Sequence, residues 1–114
     1  MTIHTSMVPL LMVGAHLIGD FVTQTSYMAT HKLADWRVRA WHVTVYTLGF
    51  AVVLLVATMP WANYGWMLAL IWVTHFITDS RRWVTDENCA PRPIMVDQAL
   101  HVMSLGIIGM AVGL

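Results

Sequence analysis

The sequence predicts an all-α membrane protein: a four-helix transmembrane bundle in up-down-up-down order. Three observations carry that prediction. Hydrophobic residues make up 58% of the chain and charged residues only 11%, where a soluble domain carries about a quarter charged residues. The apolar residues gather into four runs, each near the roughly 20 residues that a span needs. Each run also holds its few polar residues near one end, in the alternating order late, early, late, early. The length of 114 residues suits a single domain covering 1–114.

The first span is expected over about 6–28. Met7 to Ile18 is apolar apart from His16, and Pro9 falls in the first turn, where a missing N–H does little harm. Asp20, Thr23 and Gln24 follow. His16, Asp20 and Gln24 recur every four residues and so share one helix face. No basic start precedes this run and no small-residue cleavage site follows it, so it reads as a permanent span rather than a signal peptide. A polar connection holds Lys32, Asp35, Arg37 and Arg39. The second span, about 40–58, carries His42 and Tyr46 early and is apolar from Leu48 to Ala57. Pro60, Asn63 and Gly65 mark 59–65 as an uncharged turn. The third span, about 66–80, ends on His75 and Asp79. A loop with Arg81, Arg82, Asp86, Glu87, Pro91, Arg92 and Pro93 leads to the fourth, about 94–114, which opens with Asp97, Gln98 and His101.

Short connections make neighbouring helices antiparallel, so the polar ends of all four spans fall at one level on one side. All six Lys and Arg residues lie in the two connections on that side. By the positive-inside rule this side faces the cytoplasm and both termini lie outside. Trp36, Trp41 and Trp83 fit an inner interfacial belt and Trp61 and Trp66 an outer one; Trp72 packs in the bundle or faces lipid. Six acidic residues balance the six basic ones, which argues against a nucleic-acid partner. Cys89 is the only cysteine, which excludes an internal disulfide and a thiolate metal cluster. Gly109 and Gly113 have the spacing that lets helices approach closely, within the chain or in a homo-oligomer.

At the shared level stand His16, Asp20, His42, His75, Asp79, Asp97 and His101. An Asp in the bilayer centre costs roughly 2.5–3.5 kcal/mol on insertion scales and usually marks function. Three of them need compensation, which bound divalent cations would supply. Imidazole with carboxylate suits zinc first, with iron or manganese as further choices. Seven ligands exceed one tetrahedral ion and fit two, with Asp20 or Asp79 as the bridge and a position left for water. Gln24, Tyr46 and Gln98 are expected to orient ligands or substrate. Lys32, Arg81 and Arg82 are candidates for holding an anion. The simpler alternative is an interhelical His–Asp hydrogen-bond network that only fixes the fold. His4 and His31 are expected in solvent.

His16-Leu-Ile-Gly-Asp20-Phe, followed by Gln24-Thr25, Met28-Ala29 and Lys32, resembles the opening of a bacterial and phage membrane family, domain of unknown function 3307. His42 and Tyr46, the segment from His75 to Asp79, and Asp97-Gln98 with His101 continue the likeness over nearly the whole chain. The resemblance implies a small multi-pass bacterial membrane protein and supplies no activity; the bacterial inner membrane is the expected location.

Two functional expectations follow. The first is a metal-dependent hydrolase at the cytoplasmic face, with Asp20 or Asp97 as general base and a lipid or lipid-linked ester or phosphoester as substrate. The second is a transition-metal transporter, channel or sensor, or a redox protein holding two irons or haem. The dry outer halves of the spans and the lack of an inverted repeat weigh against transport.

Overall fold

The computed structural model describes residues 7–56, 61–82 and 93–111. Most of these are helical, with no strand among them. His4, the turn residues 59–60, Trp83, Asp86, Glu87, Cys89, Pro91, Arg92 and Gly113 lie outside the described residues, as does the side chain of Trp61.

Helix α1 (Val8–Leu17) runs directly into a π-helical turn (Ile18–Val22). There the N–H of Thr23 donates to the Ile18 carbonyl at 2.9 Å, five residues back. The helix expected to continue to Met28 therefore stops at Val22. The carbonyls that a longer helix would have used are taken by side chains instead. Thr23 Oγ1 donates to the Gly19 carbonyl at 3.2 Å, and Gln24 Nε2 to the Asp20 carbonyl at 3.0 Å. Thr25 then starts a new helix, α2 (Ser26–His31), as its N-cap: its hydroxyl accepts from the Met28 N–H. Such a cap satisfies a donor the helix start leaves open.

Helix α3 (Trp36–Val56) begins about a turn earlier than expected. Asp35 explains this, because its carboxylate accepts the N–H of Arg37 at 2.8 Å. Helix α4 (Trp61–Asp79) also begins early and absorbs Asn63 and Gly65, residues that read as a turn. Tyr64 ties this segment down by donating its hydroxyl to the Ala51 carbonyl of α3. Trp72, on α4, donates its indole N–H to Thr44 of α3 at 3.1 Å. Helix α5 (Pro93–Ala111) closes the described chain.

Helix α1 packs on α3 and α5, α3 on α4, and α4 on α5, while α2 lies against α3. The end of α4 meets the start of α3 through His75 and His42, and its beginning meets the end of α3 through Tyr64 and Ala51. The two helices are therefore antiparallel. One end of the interior is apolar: Val8, Met12, Phe50, Leu54, Met67, Ile71, Leu105 and Ile108 pack there with little or no exposure. The other end holds His16, Asp20, His42, His75, Asp79, Asp97 and His101, each at most 3% exposed.

Candidate metal centre

Four elements deliver the polar cluster. The end of α1 and its π turn bring His16 and Asp20, the start of α3 brings His42, the end of α4 His75 and Asp79, and the start of α5 Asp97 and His101. The π turn matters because it sets where Asp20 points; such turns recur at functional sites. Gly19 matters for a different reason. A Cβ there would lie 2.4 Å from Cδ2 of Tyr46, so only glycine lets that ring close in. The Tyr46 ring in turn packs on His75, with centroids 3.7 Å apart.

Four ligand atoms converge at the centre of the cluster: His42 Nε2, His75 Nε2, Asp20 Oδ1 and Asp79 Oδ2. His42 to His75 is 3.2 Å, His42 to Asp79 3.2 Å and His75 to Asp79 3.1 Å. Asp20 Oδ1 lies 3.4 Å from each imidazole nitrogen. Zinc–nitrogen and zinc–oxygen bonds of roughly 2.0–2.2 Å place tetrahedral ligands about 3.3–3.6 Å apart. The five separations therefore approach five edges of such a tetrahedron. Hydrogen bonding alone satisfies the group poorly. A neutral imidazole Nε2 has one hydrogen or one lone pair, yet each of these two nitrogens faces the other imidazole and both carboxylates. Asp20 Oδ1 has no hydrogen-bond partner among the described residues, and neither does His75 Nδ1.

A second group adjoins the first. His101 Nε2 lies 3.2 Å from Asp79 Oδ1, 3.5 Å from Asp97 Oδ2 and 4.0 Å from Asp20 Oδ2. Asp79 thus turns one oxygen to each group, and Asp20 does the same less closely. Buried His/Asp groups of this kind could hold a metal ion.

His16 stands at the edge of the cluster with both ring nitrogens engaged. Its Nε2 lies 2.9 Å from Gln98 Oε1 and its Nδ1 2.8 Å from the Tyr46 hydroxyl. The amide oxygen can only accept, so Nε2 donates and Tyr46 donates to Nδ1. Gln98 gives its own N–H groups to Asp20 Oδ2 at 3.2 Å and Asp97 Oδ2 at 3.4 Å. Tyr46 and Gln98 so orient His16 and two of the carboxylates, and Gln24 fixes the backbone at Asp20.

The basic residues divide. Lys32 is buried, and its Nζ lies 2.9 Å from Asp79 Oδ2. Arg39 is buried as well: it donates to the carbonyls of Lys32 and Leu33 at 3.3 Å and lies over the Phe76 ring. It therefore clamps the chain just after α2, where Lys32 turns inward. Arg81 is part-exposed, with Nε 3.6 Å from Asp97 Oδ1. Arg82 is exposed. His31 is exposed and stacks on Tyr27. Sequence reading gave no inward place to Lys32 or Arg39, because a cation in a polar connection looks solvated. It gave no role to Gly19 either.

Residues 7–113 match the family described as "Protein of unknown function (DUF3307)". The chain belongs to that family. No curated protein and no solved structure matches it.

Proposed function

We propose that this chain is an integral membrane protein whose α1, α3, α4 and α5 form a transmembrane bundle around a two-metal centre, and that the centre hydrolyses an ester or phosphoester at the cytoplasmic face. The near-tetrahedral convergence of His42, His75, Asp20 and Asp79 carries this reading. The first ion would sit among those four residues. The second would sit among His101, Asp97 and the far oxygens of Asp79 and Asp20. Imidazole with carboxylate favours zinc, with iron and manganese next.

Two features support the membrane. Helix α3 and residues 94–111 of α5 are long and apolar enough to cross a bilayer. In their most apolar stretches only 33% and 28% of residues are buried, whereas the core helix of a soluble protein is mostly buried. Leu48, Val52 and Leu55 on α3 and Met103, Ile107 and Met110 on α5 turn outward. The basic connections favour a cytoplasmic location for the polar end.

A pair of divalent ions would polarise the scissile group and activate a water. Asp97 is the better placed of the two candidate bases. Its Oδ1 is buried without a hydrogen-bond partner among the described residues and lies 3.6 Å from Arg81 Nε. Asp97 would take a proton from the attacking water. The water oxygen bonds to the ester centre as the bond to the leaving oxygen breaks, and that oxygen receives the proton. Transport fits less well, because the apolar layer of Phe50, Leu54, Met67, Ile71, Leu105 and Ile108 offers an ion no polar step.

Elemental analysis of protein purified in detergent tests the premise. Two equivalents of metal are expected, and chelation should abolish hydrolysis of a generic ester or phosphoester until zinc is restored. Less than a tenth of an equivalent, with no rebinding, would overturn the proposal.

A further inference from the structure

A cavity of about 180 Å³ opens beside the cluster, between the π turn, the end of α2 and the start of α5. Asp20 and Asp97 line it, so it reaches two carboxylates of the candidate metal centre. Lys32 and Arg81 stand in its wall, with Gln24 and Gln98 beside them. Most of its lining residues are polar or charged, whereas the grooves along α1 are lined mainly by apolar residues. Phe21 and Ile94 also line it and are more than half exposed. Drug-sized ligands occupy roughly 300–1,000 Å³. This cavity has room for a compact polar group, and a chain attached to it would lie outside, against Phe21 and Ile94.

Charge identifies the group. Lys32 and Arg81 offset two of the three buried carboxylates. Two divalent ions add four positive charges, so the loaded site has an excess of three. Such an excess calls for a multiply charged anion. Arg81 adds an independent sign. It lies just past the end of α4 with φ of 48°, the left-handed region that is unfavourable for a side chain and that glycine usually fills. Its N–H donates to the Thr78 carbonyl at 3.0 Å, so the left-handed residue closes the end of α4, and the same residue lines the cavity. Strain of this kind clusters at ligand clamps. Gln24 Oε1 is buried without a hydrogen-bond partner among the described residues, so the wall also keeps an acceptor for a protonated or hydrated ligand oxygen.

We infer that this cavity binds the phosphoryl group of the substrate, with Lys32 and Arg81 holding oxygens that the two ions do not. The inference rests on the two-metal reading. Without ions, Asp20 and Asp97 repel a phosphate, so binding requires the loaded centre. The exposed apolar rim favours a phosphoryl group carried by a lipid over free phosphate.

The test is titration of detergent-solubilised protein, loaded stoichiometrically with zinc and desalted, using orthophosphate in one arm and a short-chain phosphatidic acid in the other. Both should bind the loaded protein and neither the chelated one, the lipid at least tenfold more tightly. Equal affinity would overturn the lipid assignment and keep the phosphoryl one. Arg81→Gly relieves the left-handed strain, and in the loaded protein the second ion still neutralises Asp97, so the variant should fold and keep its metal, yet weaken both ligands roughly tenfold, as loss of a charge-assisted hydrogen bond requires. Lys32→Met should weaken them similarly while metal content is retained. Metal uptake without phosphate binding, or phosphate binding indifferent to Arg81→Gly and Lys32→Met, would overturn the cavity assignment alone. Failure to take up metal would overturn the centre and this inference with it.

Discussion

Asp79 is the residue on which most of the cluster depends. Lys32, His42 and His75 face its Oδ2, and His101 faces its Oδ1. Its place at the end of α4 was readable from the spacing to His75, since residues four apart share a helix face. Its partners from other helices were not. Lys32 in particular sits in a segment whose composition describes a solvated loop. Removing the carboxylate strands a buried ammonium, and breaking a buried pair from one side costs roughly 3–5 kcal/mol. Asp79→Asn keeps the volume and should lower thermal stability on that scale, while metal content falls from two equivalents to at most one. The double variant Lys32→Met with Asp79→Asn should recover much of the stability and none of the metal, because the stranded charge is gone. Full metal content in Asp79→Asn would remove Asp79 from the bridging role.

At the scale of the element, the end of α1 departs most from sequence expectation. A run that looked like one helix to Met28 is a helix, a π turn and a second short helix. Periodicity could not show this, since the apolar pattern continues through Val22. The break depends on side chains that compete for backbone carbonyls: Thr23, Gln24 and the cap Thr25. Such competition is local chemistry, but only the packed chain shows that it wins. Gly19 and Gly14 separate the two uses of glycine here. Gly19 faces the Tyr46 ring, and a methyl group there must displace it. Gly19→Ala should therefore destabilise by about 1–3 kcal/mol, as overpacking does. A Cβ on Gly14 meets nothing within 4 Å, so Gly14→Ala should be neutral or stabilise by up to about 1 kcal/mol. Thermal melting in one detergent compares the two, and equal melting temperatures would sink the distinction.

Among the described residues, the buried interior is divided, with the His/Asp cluster at one end and the apolar core at the other. The principal extent is 45 Å, close to the roughly 40–45 Å of a bilayer with its headgroups. Large apolar side chains turn outward on every long helix, among them Leu10, Leu17, Val52, Val73, Ile77 and Ile107. The orientation proposed for this body rests on the basic connections. Lys32 and Arg39 turn inward, so Arg37, Arg81 and Arg82 carry the surface part of that signal among the described residues. The lone Cys89 lies in the connection between α4 and α5 and reports its side. A membrane-impermeant maleimide should leave Cys89 unlabelled in intact spheroplasts and label it in inverted membrane vesicles. The reverse pattern would put the cluster on the outer face.

The amino-acid sequence alone determined that the chain is helical, that apolar residues far outnumber charged ones, and which seven His and Asp residues stand out. Those properties follow from composition and from a four-residue spacing, both local and additive along the chain. Tertiary structure alone decided that five separations among His42, His75, Asp20 and Asp79 approach the edges of a tetrahedron, that Tyr46 and Gln98 engage both nitrogens of His16, and that Lys32 joins the cluster. These depend on distances across helices far apart in sequence, and a shift of one ångström in packing would change them while every local pattern stayed the same.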